Sequence, residues 1–410
     1  MSRPSGRFRE IREELGGFYP RFSEAEYAQR YARIREMMDE FEVECLLVYG
    51  DSDHCYMNLA NVRYVANYAD HQYSYVVFPR NGDITLLISI PNLQPGAVAM
   101  SVVPDVRWSL GSRRNIAQVA AERVLELGLG HGRIGLVGPD SVRMPSIPHH
   151  HYLTLEERLG DAELIYLTEQ FEGLRRVQSE EEILWMQKGA DFTDAAMQAM
   201  VDAIAPGVRE FELYGAQHCA YLPRGGHLMF SIMSSTAMSK PRSPHPAAWA
   251  SERPLEKGDI VMTEISAAYW GYSGQIIRAI ALGQPPQQYL DLYHLVKEVH
   301  DGVRDVLKPG NTEKDVLRIA SKITDAGYTS LTPIVHGWGL GLVWPYIGTE
   351  GSDAWWSEGV VFEENQALMV EPNAASPDLT SGIVIGTLHR VSAAGGVPYQ
   401  KFPLEFIVKD

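Results

Sequence analysis

Two stretches of this chain end a long amphipathic helix in nearly the same way, and they constrain the fold more than any other feature. Ile204-Ala205-Pro206-Gly207-Val208-Arg209-Glu210 resembles Val306-Leu307-Lys308-Pro309-Gly310-Asn311-Thr312-Glu313, and Pro206 and Pro309 stand 103 residues apart. Proline cannot continue a helix, and glycine tolerates the left-handed backbone that closes one. A Pro-Gly pair alone is a common helix stop. With a helical pattern on both sides of each copy, it points to two similar α/β halves packed about a pseudo-twofold axis.

The first of these helices opens at Ser179-Glu180-Glu181-Glu182, where Ser179 can cap the helix while Glu182 reaches back, and Ile183, Met186, Ala190 and Met197 follow at helical spacing. The second spans roughly 287–306. Apolar segments at 260–267, 275–282, 365–370 and 383–391 read as central strands of a curved, largely buried sheet. Ahead of them, a helix is predicted over 21–40, with Tyr27, Tyr31, Ile34 and Met37 as its apolar stripe. Residues 45–49 read as a buried strand and 61–64 as a turn region. Residues 73–78 and 84–90 form a strand pair around Asn81-Gly82-Asp83, 116–127 a helix and 133–138 a strand, and 153–159 and 162–166 continue the alternation. The order fits a compact α/β domain ending near residue 175, so domain boundaries are drawn at 1–177 and 178–410.

Lys and Arg number 36 against 52 Asp and Glu, a net charge of −16 that argues against nucleic acid as a partner. No apolar run approaches the length of a membrane span, and the N-terminus has no apolar signal core. Cys45, Cys55 and Cys219 lack metal-binding spacing, and their odd number suits a reducing compartment, so a cytoplasmic location is expected.

Four places put a histidine or carboxylate at the edge of an apolar segment: Ser243-Pro244-His245-Pro246, the run from Gly258 to Glu264, His336-Gly337-Trp338-Gly339 and Met369-Val370-Glu371-Pro372. A carboxylate inside a greasy strand is costly unless partnered, which singles out Glu264 and Glu371, with His245 and His336 as natural partners. These four form the candidate catalytic set. Asp259, in a Lys-Gly-Asp turn, reads as structural. Trp338, Trp344 and Tyr346 follow His336 closely; they suit either a pocket wall for a ring or alkylated cation, or ordinary core packing.

Glu256-Lys257-Gly258-Asp259-Ile260-Val261, then Gly271-Tyr272 and Arg278, then His336-Gly337, then Glu371-Pro372 together resemble the signatures of the creatinase and aminopeptidase P (pita-bread) superfamily. Arg175 to Met186 resembles its interdomain linker and first helix, and the likeness covers nearly the whole chain. It implies an α/β N-terminal domain followed by an α+β pita-bread domain with a pseudo-twofold internal repeat. Metallopeptidase members such as Xaa-Pro dipeptidases hold two metal ions with two Asp, one His and two Glu. The matching positions here carry Glu264, Gln275, His336 and Glu371, with the last expected near Ala393. The resemblance therefore implies no cofactor and no two-metal centre; the alternative is one divalent metal held by Glu264, His336 and Glu371.

Within the superfamily, the pattern resembles the metal-independent branch of creatinase and ectoine hydrolase, where a histidine ahead of the Gly-Asp segment is the acid/base group; His245 stands there. Arg278, and Asp70-His71-Gln72 presented to a dimer partner, would contact substrate. Ile277, where creatinase has a carboxylate, makes creatine a poor substrate. The expected function is metal-independent hydrolysis of a non-peptide C–N bond in a small polar substrate, cationic or cyclic, by a homodimer. The alternatives are a metallohydrolase resembling Xaa-Pro dipeptidases, a lyase resembling the dimethylsulfoniopropionate-cleaving branch with an altered metal site, and a non-catalytic small-molecule binding protein.

Overall fold

The computed structural model describes residues 6–52, 57–109, 115–138, 146–351 and 357–410; Cys55 lies outside them. The chain divides into two compact units, Met1–Arg175 and Arg176–Asp410. No helix among the described residues is long and apolar enough to cross a membrane.

The first unit is an α/β layer structure. Its strands are β1 (Cys45–Gly50), β2 (Ser74–Pro79), β3 (Thr85–Ile88), β4 (Asp105–Trp108), β5 (Arg133–Val137) and β6 (Glu163–Tyr166), and its helices are α1 (Gly6–Leu15), α2 (Glu24–Glu40), α3 (Ala60–Ala66), α4 (Gln94–Met100), α5 (Ile116–Glu126), α6 (His149–Arg158) and α7 (Thr168–Gly173). The sheet order is β4-β3-β2-β1-β5-β6, with β1 parallel to β5 and antiparallel to β2. Helix α2 starts where Ser23 accepts a hydrogen bond from the Glu26 amide. The stretch 61–64, expected as a turn, is instead inside α3. All seven residues of that helix are buried, and it closes on Asn67 in the left-handed conformation (φ 53°), so tertiary burial outweighs its weak local helical signal.

The second unit contains α8 (Glu180–Ala203), α9 (Glu210–Cys219), β7 (His227–Ala237), β8 (Asp259–Tyr269), β9 (Tyr272–Leu282), α10 (Gln287–Val306), α11 (Glu313–Asp325), β10 (Val335–Gly339), β11 (Gly341–Ile347), β12 (Ala367–Val370), β13 (Asn373–Ala375), β14 (Gly382–Val384), β15 (Gly386–Arg390), β16 (Val397–Pro398) and β17 (Ile407–Lys409). One sheet runs β11-β10-β12-β15-β9-β8-β7, with β16 beside β15 and β17 beside β9, and β13 and β14 pair separately. This is the curled sheet with outer helices expected of a pita-bread domain. Each half opens with two helices followed by strands, and the two helix junctions match in detail. Gly207 and Gly310 share φ +87°, the Gly207 amide donates to Leu255 O at 2.8 Å, and the Gly310 amide donates to Phe362 O at 2.9 Å. The carboxylates of Glu212 and Asp315 then accept from the Arg209 and Thr312 amides, at 2.8 and 3.1 Å, and so open α9 and α11 in the same way.

Helix α10 buries Tyr289, Leu292, Tyr293, Val296, Val299, His300 and Val303, the three-and-four spacing of a single face. Each large aliphatic of that face is worth roughly 1.5–3 kcal/mol on burial. Helix α8 lies against β8 and β9 so closely that backbone meets backbone. A Cβ on Gly189 would stand 2.6 Å from the Gly274 amide nitrogen and from Tyr272 O, and one on Gly274 would stand 2.5 Å from Ala190 Cα. Only glycines permit that approach.

Candidate active site

Glu264 sits in the middle of β8. It pairs in register with Ile277 of β9, which pairs in turn with Gly386 of β15, so the three form one row across the sheet. Side chains alternate along a strand, so Gln275 shares the face of Ile277 and of Glu264. Gln275 Nε2 donates to Glu264 Oε1 at 2.5 Å. From the other half, His336 on β10 and Glu371, directly after β12, are neighbours through the β10–β12 pairing and through the Glu371 amide, which donates to Ile334 O at 2.8 Å. His336 Nε2 lies 3.3 Å from Glu371 Oε2, and both side chains are about 94% buried. His336 Nδ1 lies 3.2 Å from Gly337 O and can donate only there, which leaves Nε2 as the nitrogen free for chemistry. With Nδ1 so engaged, the contact between Nε2 and the carboxylate needs a proton or another electrophile between them.

The electrostatics tie the two halves together. Burial first, and then the charge of Glu371, push the Glu264 carboxyl well above the ordinary range, while the Gln275 amide pulls the other way. Glu264 and Glu371 are thus two carboxyl groups close together out of water, and Glu264 is the one pushed toward its neutral form. His245 lies on the loop between β7 and β8, its backbone carbonyl receiving hydrogen bonds from Ser243 Oγ at 2.7 Å and Ser234 Oγ at 3.4 Å. Burial lowers the pKa of its ring, while the Pro246 carbonyl 3.3 Å from Nδ1, and then the charge of Glu371, act in the opposite direction. Glu371 thus pairs with His336, and its charge is felt by both Glu264 and His245. Trp338 packs edge-on against His336 at 5.6 Å, and its buried indole N–H has no hydrogen-bond partner. Tyr346 pairs in register with His336.

Other sequence-predicted residues lie elsewhere. Arg278 pairs with Thr263, on the opposite face of the sheet from Glu264. Its guanidinium is buried and donates to Pro403 O at 2.8 Å, Phe402 O at 3.0 Å, Gly386 O at 2.5 Å and Ile277 O at 2.8 Å, and burial lowers it to about 9. It ties the segment at 402–403 to the sheet, and the expectation that it binds substrate is corrected by that geometry. Trp344, half-buried, packs against the core of the second unit with the Arg176 guanidinium 5.1 Å from its ring. Asp70 and His71 belong to the first unit, where buried Asp70 accepts from Tyr68 Oη at 2.9 Å and from the His71 amide at 2.6 Å. Asp259 is held by Arg253 at 2.6 and 2.8 Å and caps the turn through the Glu256 amide, a structural role.

Ala393 is exposed in a turn and does not face the centre. The residue that does is Gly386, where an added Cβ would meet Met369 Cε at 2.4 Å, Val370 O at 3.0 Å and Glu371 Cβ at 3.1 Å. Neither Gly386 nor Met369 was singled out from the sequence. The available signal was a glycine interrupting the apolar run Ile383-Val384-Ile385, which often marks a close approach.

Residues 185–393 match the model of metallopeptidase family M24, just over half of the chain, and residues 30–177 match the creatinase/prolidase N-terminal domain. The chain belongs to metallopeptidase family M24. It is 28% identical over 292 residues to an Xaa-Pro dipeptidase of Pyrococcus furiosus, covering 69% of this chain and 79% of that protein. Among solved structures it is similar to an Xaa-Pro dipeptidase from Bacillus anthracis, with TM-score 0.75, 25% identity, and coverage of 93% and 99% of the two chains. It also resembles a prolidase from Pyrococcus horikoshii OT3, with TM-score 0.76, 22% identity, and coverage of 92% and 100%. These likenesses support a hydrolase of the pita-bread peptidase family. They overturn the expectation of a metal-independent hydrolase acting on a non-peptide C–N bond, and they do not support placement in the creatinase and ectoine hydrolase branch.

The donors present do not fit a two-ion centre. Two of the five positions hold a neutral amide, Gln275, and a glycine, Gly386. Among the described residues no three His, Cys, Asp or Glu side chains converge where an ion could sit. Divalent ions are held by charged carboxylates and imidazoles, and this centre retains two carboxylates and one imidazole in that set.

Proposed function

We propose that this chain hydrolyses the amide bond between a residue and a following proline, or a proline-like ring nitrogen, in a small peptide substrate. The observation that carries the reading is the 28% identity to an Xaa-Pro dipeptidase over most of both chains. The centre built from both halves of the sheet supports it chemically. Glu371 Oε2 has no hydrogen-bond donor and faces His336 Nε2, so Glu371 is placed to take a proton from an attacking water and return it to the leaving nitrogen. His245 is held through its carbonyl, and with Nδ1 3.3 Å from Pro246 O its Nε2 is the ring nitrogen left to hold the substrate's carbonyl or carboxylate. The Trp338 indole N–H offers a buried donor to the same group. Glu264, kept neutral by burial and by Glu371, contributes a hydrogen bond rather than a charge while it holds its proton.

Incubation with a panel of Xaa-Pro dipeptides and tripeptides, with and without added manganese or cobalt, should release free proline. Glu371→Gln should lower that release by roughly 10²–10⁴-fold, the range for a positioned acid/base group, with the fold intact. No proline release from any panel member under either condition would end the reading. The homodimer likewise stays a proposal, and a monomer mass by light scattering at micromolar concentration would remove it.

A further inference from the structure

We infer that the centre of Glu264, Gln275, His336 and Glu371 has charge and space for one divalent ion at most, and that Met369 fills the place of a ligand to a second. This concerns the same site as the dipeptidase reading and rests on that family's two-ion arrangement, but not on which substrate is cleaved.

Three observations carry it. The first is charge. A ligand set of two Asp, two Glu and one His brings four negative charges, which balance two divalent ions. Here Glu264 and Glu371 bring at most two, and only if an ion drives the proton off Glu264; two charges balance one ion. A second ion would leave two positive charges uncompensated among side chains that are 4% and 9% exposed, a cost that buried sites do not bear.

The second is hydrogen bonding. Gln275 stands where the set calls for a carboxylate, and it presents its amide nitrogen, not its oxygen, to Glu264 Oε1 at 2.5 Å. That N–H occupies a lone pair that an ion shared between the two positions would need. A neutral amide oxygen can ligate a hard cation, but it adds no charge.

The third is volume. Gly386 lies in the same cross-strand row as Glu264, yet a Cβ there would come within 2.4 Å of Met369 Cε and 3.1 Å of Glu371 Cβ. The thioether methyl has taken the space through which a side chain at 386 would reach the centre. Methionine is the side chain best suited to such irregular filling. Loss of the ligand and refilling of its space are then one change seen from two sides.

The test is ion content, read without any substrate. The purified chain is dialysed against excess manganese or cobalt, passed over a desalting column and analysed for metal per chain. The inference expects one ion or none in the wild type; two retained ions per chain would overturn it. Gln275→Asp combined with Gly386→Glu and Met369→Ala restores both charges and the space, and should raise retained metal by about one ion per chain. A triple variant with wild-type circular dichroism and unchanged ion content would also overturn the inference. If the triple variant does not fold, the wild-type count still decides. Failure of the dipeptidase reading would show as absent proline release whatever the ion count, so the two results are separable.

Discussion

Acid should loosen the second unit through a buried histidine pair. His300 on α10 and His389 on β15 have ring centroids 5.2 Å apart and are 3% and 1% exposed. Burial lowers both, His389 well below the ordinary range, with the positive charge of neighbouring groups adding to the effect at His389; Asp301 acts in the opposite direction on His300. His389 Nδ1 lies 2.8 Å from Thr387 O and donates to it, while His300 Nε2 has no partner to stabilise an added proton. The folded values lie below the unfolded value near ~6.5, so the unfolded chain binds more protons and stability falls as pH drops through ~6.5. For each histidine that stays neutral in the fold, moving from about pH 7.5 to about pH 5 costs about 2 kcal/mol, from about 1.5 pH units below ~6.5 at about 1.4 kcal/mol each. Glu264 works against this, because its raised carboxyl favours the folded state as pH falls. The absolute slope therefore mixes signs, and the informative quantity is a difference. His389→Asn keeps a donor for Thr387 O and cannot protonate. Urea unfolding at the two pH values, followed by hydrogen–deuterium exchange of α10 and β15 peptides, should show the wild type losing about 2 kcal/mol more than the variant. Equal losses in both proteins would refute the reasoning, since the Glu264 contribution is common to them.

The repeat makes a symmetric prediction. Gly207→Ala and Gly310→Ala each place a Cβ in open space but in a left-handed backbone, so each should cost about 1–2 kcal/mol by denaturant melting, and the two costs should agree; a gap much above about 1 kcal/mol would mean that the junctions are not equivalent. Arg278→Met should destabilise the second unit by about 3 kcal/mol or more, because the carbonyls of Gly386, Phe402 and Pro403 lose their buried donor. Any loss of turnover in that variant should track unfolding, whereas a folded variant with a selectively raised KM would restore Arg278 to the substrate site.

What was legible in the sequence was what repeats or caps. The two Pro-Gly junctions, the Ser179 capping box and the apolar strand runs are local signals, and they located the helices and the curved sheet of the second unit. Glu264, His336 and Glu371 were legible because a charge inside an apolar run is conspicuous on its own. Gly386 was not, because its role comes from a cross-strand row, and register between β8, β9 and β15 is a long-range property. The same blindness explains Arg278: in sequence it stands three residues from Gln275, but strand alternation sends it to the other face. The expected activity is overturned by the 28% identity to an Xaa-Pro dipeptidase over 292 residues, a likeness that is spread along the chain and is not visible in the few ligand positions a single sequence displays.

Gly189 and Gly274 give this site a property that its chemistry would not suggest. Where α8 meets β9 the contact is main chain on main chain, and Gln275 is the very next residue. The strand's position is thus set by atoms that every amino acid possesses, not by the side chain at 275. A single codon change there can swap a carboxylate for an amide, or an amide for a carboxylate, while the frame that aims it stays still. Such a scaffold lets its reactive centre drift among charge states without first having to survive a structural upheaval, so divergent chemistries can be sampled one residue at a time on an unchanged chassis.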